Sequence, residues 1–281
     1  MPHPLTVDVV DITDPSDPRV DDFRDLNSVD RRPDLPALPG GRKGKGLVIA
    51  EGVTVAQRMI ASRFAPHAFL GVDKRLGELA AAGSVTPGAD GVPFYRADAD
   101  VMAAIVGFHL NRGVLGAARR PEPLSIPEVI AGARTVAVLE GVNDHENIGS
   151  IFRNAAGLGV DAVIFGAGCA DPLYRRSIRV SMGHVLLVPF ATYDGRWPDQ
   201  LGLLSGAGFT LVALTPGEGS VPLAEAVTGD KVAFLVGAEG PGLVEHTMRQ
   251  CDVRARIPMS RGTDSLNVAT AAAVAFYERA R

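Results

Sequence analysis

Five polar residues stand in apolar or glycine-rich surroundings where packing alone would not choose them. Asn147 and Arg153 share the segment Asn143-Asp144-His145-Glu146-Asn147-Ile148-Gly149-Ser150-Ile151-Phe152-Arg153-Asn154. Glu239 lies in Gly237-Ala238-Glu239-Gly240-Pro241-Gly242, and Ser265 and Asn267 bracket Leu266 near the C-terminus. Amides and hydroxyls make directed hydrogen bonds, and loops at strand ends carry such residues toward ligands. Glu239 would repel an anion, so its loop suits a ligand with positive charge or hydroxyl donors. Arg153 has the apolar neighbours Ile151, Phe152, Ala155 and Ala156, and an arginine beside a core face needs an anionic partner or a ligand. Structural readings stand beside these. Arg153 can form an internal salt bridge with Glu239 or Glu140, Asn147 can cap the helix that follows it, and Asp264 or Ser265 can cap the last one. Asp144, His145 and Glu146 are further acid–base candidates, although adjacent polar loop residues also read as solvated.

The elements that must hold these residues alternate in type. In the second half, residues 135–139, 161–165, 185–189, 210–214, 232–236 and 253–257 read as strands. Helical patterns fall between them at 148–158, 175–182, 197–204 and 241–251, the last with Pro241 in its first turn. An Ala-rich helix runs to Glu278. Strand–helix alternation implies an α/β fold: a mostly parallel sheet with helices on both faces. Ligands bind such sheets at the carboxyl ends of the strands, where all three polar segments fall. A smaller α/β layer precedes it, with strands at 47–50, 69–72, 93–95 and 113–118 and helices at 53–60, 74–82 and 98–108. Residues 5–10 can add an edge strand. The expected organisation is an N-terminal extension and small domain over 1–120, a Pro-rich linker over 121–133, and a second domain over 134–281.

Composition excludes several classes. The 281 residues are 46% hydrophobic and 21% charged, which is globular rather than disordered. A formal net charge of -4 means that any nucleic acid must be held by a local patch. Cys169 and Cys251 form no metal-ligand cluster with the six histidines and read as reduced thiols. No signal-peptide pattern and no membrane-length apolar run is present, so a cytoplasmic protein without a metal site is expected. Gly166-Ala167-Gly168 follows a strand, but position 171 is aspartate, so the dinucleotide fingerprint is incomplete.

Together, Asn147 to Arg153, the Gly237–Gly242 loop with Glu239, and the stretch Ile257-Pro258-Met259…Ser265-Leu266-Asn267-Val268-Ala269 resemble the three motifs of SpoU/TrmH-type RNA methyltransferases of the SPOUT superfamily. The first half, with Ile49-Ala50-Glu51-Gly52 and Gly113-Val114, is more weakly similar to the L30e-like RNA-binding domain that often precedes that catalytic domain. The resemblance implies a deep trefoil knot, a homodimer, S-adenosylmethionine as methyl donor, and methylation of a ribose 2′-hydroxyl in rRNA or tRNA, with rRNA favoured. It places the cofactor against Leu214, Thr215, Gly237, Ile257 and Leu266, and the active site at Asn147, Arg153, Glu239, Ser265 and Asn267. In the family the matching arginine is proposed as the base. A guanidinium holds its proton too tightly for that, so Arg153 is expected to fix the target phosphate or stabilise the emerging oxyanion. Arg42, Lys43, Lys45, Arg112, Arg175, Arg176 and Arg179 are the expected RNA contacts. The rival readings are a non-catalytic RNA-binding protein that keeps the fold, a methyltransferase acting at another RNA position, and a Rossmann-type methyltransferase or oxidoreductase.

Overall fold

The structure is a computed structural model that describes residues 3–28, 33–35, 45–217, 219–260, 262 and 265–281. The first half contains β1 (Leu5–Asp11), β2 (Leu47–Glu51), α1 (Val53–Ile60), β3 (Pro66–Gly71), α2 (Asp73–Ala81), β4 (Val85–Pro87), β5 (Val92–Arg96), α3 (Ala99–Val106) and β6 (Val114–Arg119). The second contains α4 (Ile126–Ile130), β7 (Thr135–Leu139), α5 (His145–Leu158), β8 (Ala162–Phe165), α6 (Arg175–Val180), β9 (Phe190–Thr192), α7 (Leu201–Gly206) and β10 (Thr210–Leu214). It ends with β11 (Val221–Pro222), α8 (Leu223–Ala226), β12 (Val232–Val236), α9 (Glu245–Met248), β13 (Val253–Arg256) and α10 (Val268–Ala280).

The chain forms two compact units, one of residues 1–121 with 173–187 and the other of residues 122–172 with 188–281. Two stretches thus fall elsewhere than the expected domain limits. Residues 173–187 lie in the first unit, because Arg175 is held there. Its guanidinium pairs with Glu51 Oε2 at 3.1 Å and stacks over Phe108, and its backbone N–H donates to Asp34 at 3.1 Å. The proline-rich stretch after residue 121 carries α4, whose Ile126, Val129 and Ile130 enter the core of the second unit. A capping box starts that helix: the Ser125 hydroxyl accepts from the Glu128 N–H while Glu128 reaches back to the Ser125 N–H.

The first unit has a six-stranded mixed sheet in the order β2-β6-β3-β5-β1-β4. Residues 5–10 are therefore not an edge strand, since β1 pairs with β5 on one side and β4 on the other. The second unit has a seven-stranded sheet in the order β11-β13-β10-β12-β7-β8-β9, parallel at every pairing. Helices cover both faces of such a sheet, which is why β7, β8 and β12 are apolar along their whole length apart from Thr135 and are buried throughout. Short elements depart from the sequence reading. Residues 185–189 are not a strand: a 3-10 turn at His184–Leu186 precedes β9. The helix expected over 241–251 shrinks to α9, because the chain turns back at Gly240 and Gly242 with φ of 92° and 71°, outside helical space. The helix expected at 197–204 starts only at Leu201.

Candidate active site

α5 buries Ile148, Ile151, Phe152 and Ala155 on one face and stops at Gly159, which takes a left-handed φ of 73°. The Asp144 carboxylate caps its start by accepting from the Glu146 N–H at 2.8 Å. Asn147 is thus freed from the capping role expected of it. It lies inside the first turn, only 7% exposed, with its amide aimed at other segments. α10 packs along α5 and is tied to it where Asn154 Nδ2 donates to the Ala269 carbonyl at 3.0 Å. The cap of α10 is Asn267, whose Oδ1 accepts from the N–H groups of Ala269 at 2.9 Å and Thr270 at 3.2 Å. Ser265 does not cap it, and Asp264 lies outside the described residues.

One chain of hydrogen bonds joins three of the expected site residues. Asn267 Nδ2 donates to Asn147 Oδ1 at 2.8 Å, and Asn147 Nδ2 donates to Glu239 Oε2 at 3.3 Å. Both amides are orientated without ambiguity. The helix N–H groups require the oxygen of Asn267, so its nitrogen must face Asn147, and Asn147 must in turn offer its own nitrogen to the carboxylate.

Beside this chain opens a pocket of about 510 Å³ at the carboxyl ends of β10, β12 and β13. All five expected cofactor residues line it, Leu214, Thr215, Gly237, Ile257 and Leu266, together with Glu239, Ser265 and Asn267. Its volume falls in the range of about 300–1,000 Å³ typical of small-molecule sites. The loop after β12 is shaped by Gly237. A Cβ there would sit 2.1 Å from the Gly242 carbonyl carbon and the Leu243 nitrogen, so only glycine lets the loop fold back on itself. Sequence reasoning did not assign Val236, Met248, Ala271 or the motif residue Met259 to the cofactor site, and they add to its apolar wall. Val236 ends β12 and Met259 follows β13, so their place at the strand ends was a signal, whereas Met248 on α9 and Ala271 on α10 carried none.

Arg153 is exposed on α5 and forms no ion pair with Glu239 or Glu140 among the described residues, which removes the internal salt bridge as its explanation. Glu140 is engaged elsewhere, by Trp197, Val244 and Thr247. Of the expected RNA contacts, Arg112, Arg176 and Arg179 are exposed. Lys45 pairs with Asp22 at 2.6 Å, Arg175 is the ion-paired residue described above, and Arg42 and Lys43 lie outside the described residues. Neither cysteine is poised as a nucleophile: burial pushes the Cys169 thiol up, and burial with Asp252 and Glu140 nearby pushes Cys251 up to about 12. No helix among the described residues is long and apolar enough to cross a membrane.

Comparison with known proteins places this geometry among relatives. The model of the SpoU rRNA Methylase family matches residues 134–277. A protein of Mycobacterium bovis named as an uncharacterised tRNA/rRNA methyltransferase is 65% identical, covering 99% of this chain and 94% of that protein. A 23S rRNA guanosine-2′-O-methyltransferase of Bacillus subtilis is 27% identical over 66% of this chain and 72% of its own length. Among solved structures, an AdoMet-bound rRNA methyltransferase from Sinorhizobium meliloti superposes with a TM-score of 0.74 at 23% identity, covering 96% of this chain and 97% of that one. The SpoU methyltransferase AviRb from Streptomyces viridochromogenes gives 0.73 at 20% identity over 94% and 96%. These two show a shared fold.

Proposed function

The chain belongs to the SpoU rRNA Methylase family, and from that premise we infer that it methylates a ribose 2′-hydroxyl of RNA with S-adenosylmethionine as the donor. The observation that carries this is the Asn267–Asn147–Glu239 chain at the edge of a pocket lined by Leu214, Thr215, Gly237, Ile257 and Leu266. The pocket suits such a donor. Leu214, Val236, Ile257, Met259 and Leu266 offer an apolar wall for a flat ring, and the Glu239 carboxylate suits a positively charged group. Relatives named as 23S rRNA guanosine-2′-O-methyltransferases, in Bacillus subtilis and Acinetobacter baylyi, favour rRNA over tRNA as the substrate.

When bound, S-adenosylmethionine supplies an electrophilic methyl group. The residues of this chain supply orientation, and in-line alignment of two reactants is worth up to about 7–11 kcal/mol. Asn147, Asn267 and Ser265 orient the ribose. Glu239 holds the Asn147 amide and accepts from hydroxyl donors. Arg153 is exposed and has no carboxylate partner among the described residues, so its guanidinium is available to a target phosphate or to the oxyanion that develops on the ribose oxygen. The exposed Arg112, Arg176 and Arg179 contact the RNA backbone. A homodimer is part of the same reading, with Tyr277, 58% exposed on α10, as an aromatic anchor.

The test is labelled-methyl transfer to total RNA, followed by mapping of the 2′-O-methyl positions lost from a deletion strain. Transfer to rRNA with one lost ribose methyl is the expected result. RNA binding without any transfer would establish the non-catalytic alternative.

A further inference from the structure

Glu140 stands at the carboxyl end of β7, 6% exposed, and takes no part in the chain of bonds that joins Asn267 to Glu239. Its Oε1 accepts from Trp197 Nε1 and from the Thr247 hydroxyl, and its Oε2 accepts from the Val244 N–H at 2.9 Å. Its own N–H donates to the Val236 carbonyl at 2.9 Å. No cation pairs with it among the described residues. A buried carboxylate costs several kcal/mol unless donors satisfy it, so three donors, two from the start of α9 and one from Trp197, make it a strong geometric constraint.

Where these hydrogen-bond partners sit, the acceptor Val236 and the donors Val244 and Thr247, is informative. Val236 lines the pocket itself, Val244 follows the pocket residue Leu243, and Thr247 precedes the pocket residue Met248. The carboxylate therefore grips the back of the wall whose front the pocket presents. Trp197 is the third handle, wedged so closely against Gly166 that a Cβ there would lie 2.5 Å from the ring. We propose that Glu140 is a positioning residue for cofactor binding, fixing the returning arm of the 237–243 loop and the first turn of α9 against β7. The proposal rests on the S-adenosylmethionine reading of the pocket.

Glu140→Gln separates this role from bulk stability. A carboxamide has one oxygen, and two donors converge on Oε1 against one on Oε2, so the oxygen turns to Trp197 and Thr247. The new NH₂ group then confronts the Val244 N–H and releases the loop. Binding of S-adenosylhomocysteine, read by calorimetry, is expected to weaken about tenfold, the scale of one lost charge-assisted hydrogen bond. At saturating donor, kcat stays within about twofold, because the reacting groups do not touch Glu140. In Trp197→Phe/Glu140→Gln the indole donor is gone, so the amide can accept from Val244 and donate to Thr247. Affinity should return to within about threefold of Trp197→Phe alone.

Unchanged binding in Glu140→Gln, a fall in kcat with unchanged binding, or no recovery in the double variant would each overturn the proposal. Should Glu140→Gln not fold, Thr247→Val keeps the shape and removes one tether, and wild-type affinity there would overturn it equally. Failure of the unaltered protein to bind S-adenosylhomocysteine removes the cofactor reading itself, whereas normal binding in both forms removes only the role of Glu140.

Discussion

Asn267 serves two purposes with one amide. Its oxygen caps α10 and its nitrogen sets the direction of every bond from Asn147 to Glu239. Asn267→Asp separates the two, since aspartate caps a helix as well as asparagine does but donates nothing. Two acceptors would then face each other, and Asn147 would relieve them by turning its carbonyl toward Glu239. The melting temperature should stay within about 2 °C of wild type, while methyl transfer falls about 10²-fold, the usual scale for one lost orienting donor. Near-normal turnover would exclude the relay. Arg153→Ala should abolish transfer while cofactor affinity, measured separately, stays near wild type; turnover in that variant would move the role elsewhere. Both asparagines were legible as candidate site residues, because amides at the mouths of apolar helices have little packing reason to be there. Which residue caps each helix was not. Asp144, Asn147, Asp264, Ser265 and Asn267 are all good cap types, and only the backbone at the first helical residue decides among them.

Elements of different length were legible to different degrees. β7, β10 and β12 are buried on both faces, so their apolar runs mark them without ambiguity. α9 has four residues, too few for a periodic pattern, and the glycines before it looked like a helix start although they form a loop. The return of residues 173–187 to the first unit depends on tertiary partners of Arg175, and no local signal carries it. Gly237→Ala tests how far the pocket depends on that loop. Its methyl would overlap the Gly242–Leu243 backbone, which a flexible side chain cannot relieve. Expected is loss of S-adenosylhomocysteine binding in calorimetry with secondary structure retained by circular dichroism; binding within about threefold of wild type would mean that the loop closes differently.

At the scale of the whole molecule the question is how a chain of net charge -4 holds RNA. Overall attraction is absent, so binding must come from local cations, and each phosphate neutralised adds about 0.7 to the slope of log affinity against log salt for single strands. The sequence suggested Arg42, Lys43, Lys45, Arg112, Arg175, Arg176 and Arg179 equally, yet burial sets Arg175 apart from the others that the structure describes. The Arg175 and Glu51 side chains are only 18% and 7% exposed, and that guanidinium also caps the Leu26 carbonyl at 3.4 Å. Removing one partner of a pair so buried costs about 3–5 kcal/mol, because the other charge is left without compensation. Arg175→Ala should therefore lower the melting temperature by many degrees, and at a temperature where it stays folded its salt slope should equal that of wild type. Arg112→Ala and Arg179→Ala, both at exposed positions, should do the reverse: unchanged melting, with each slope shallower by about 0.7. A shallower slope in Arg175→Ala with unaltered melting would reassign that arginine to the RNA surface, and unaltered slopes in the other two would move the RNA site off them.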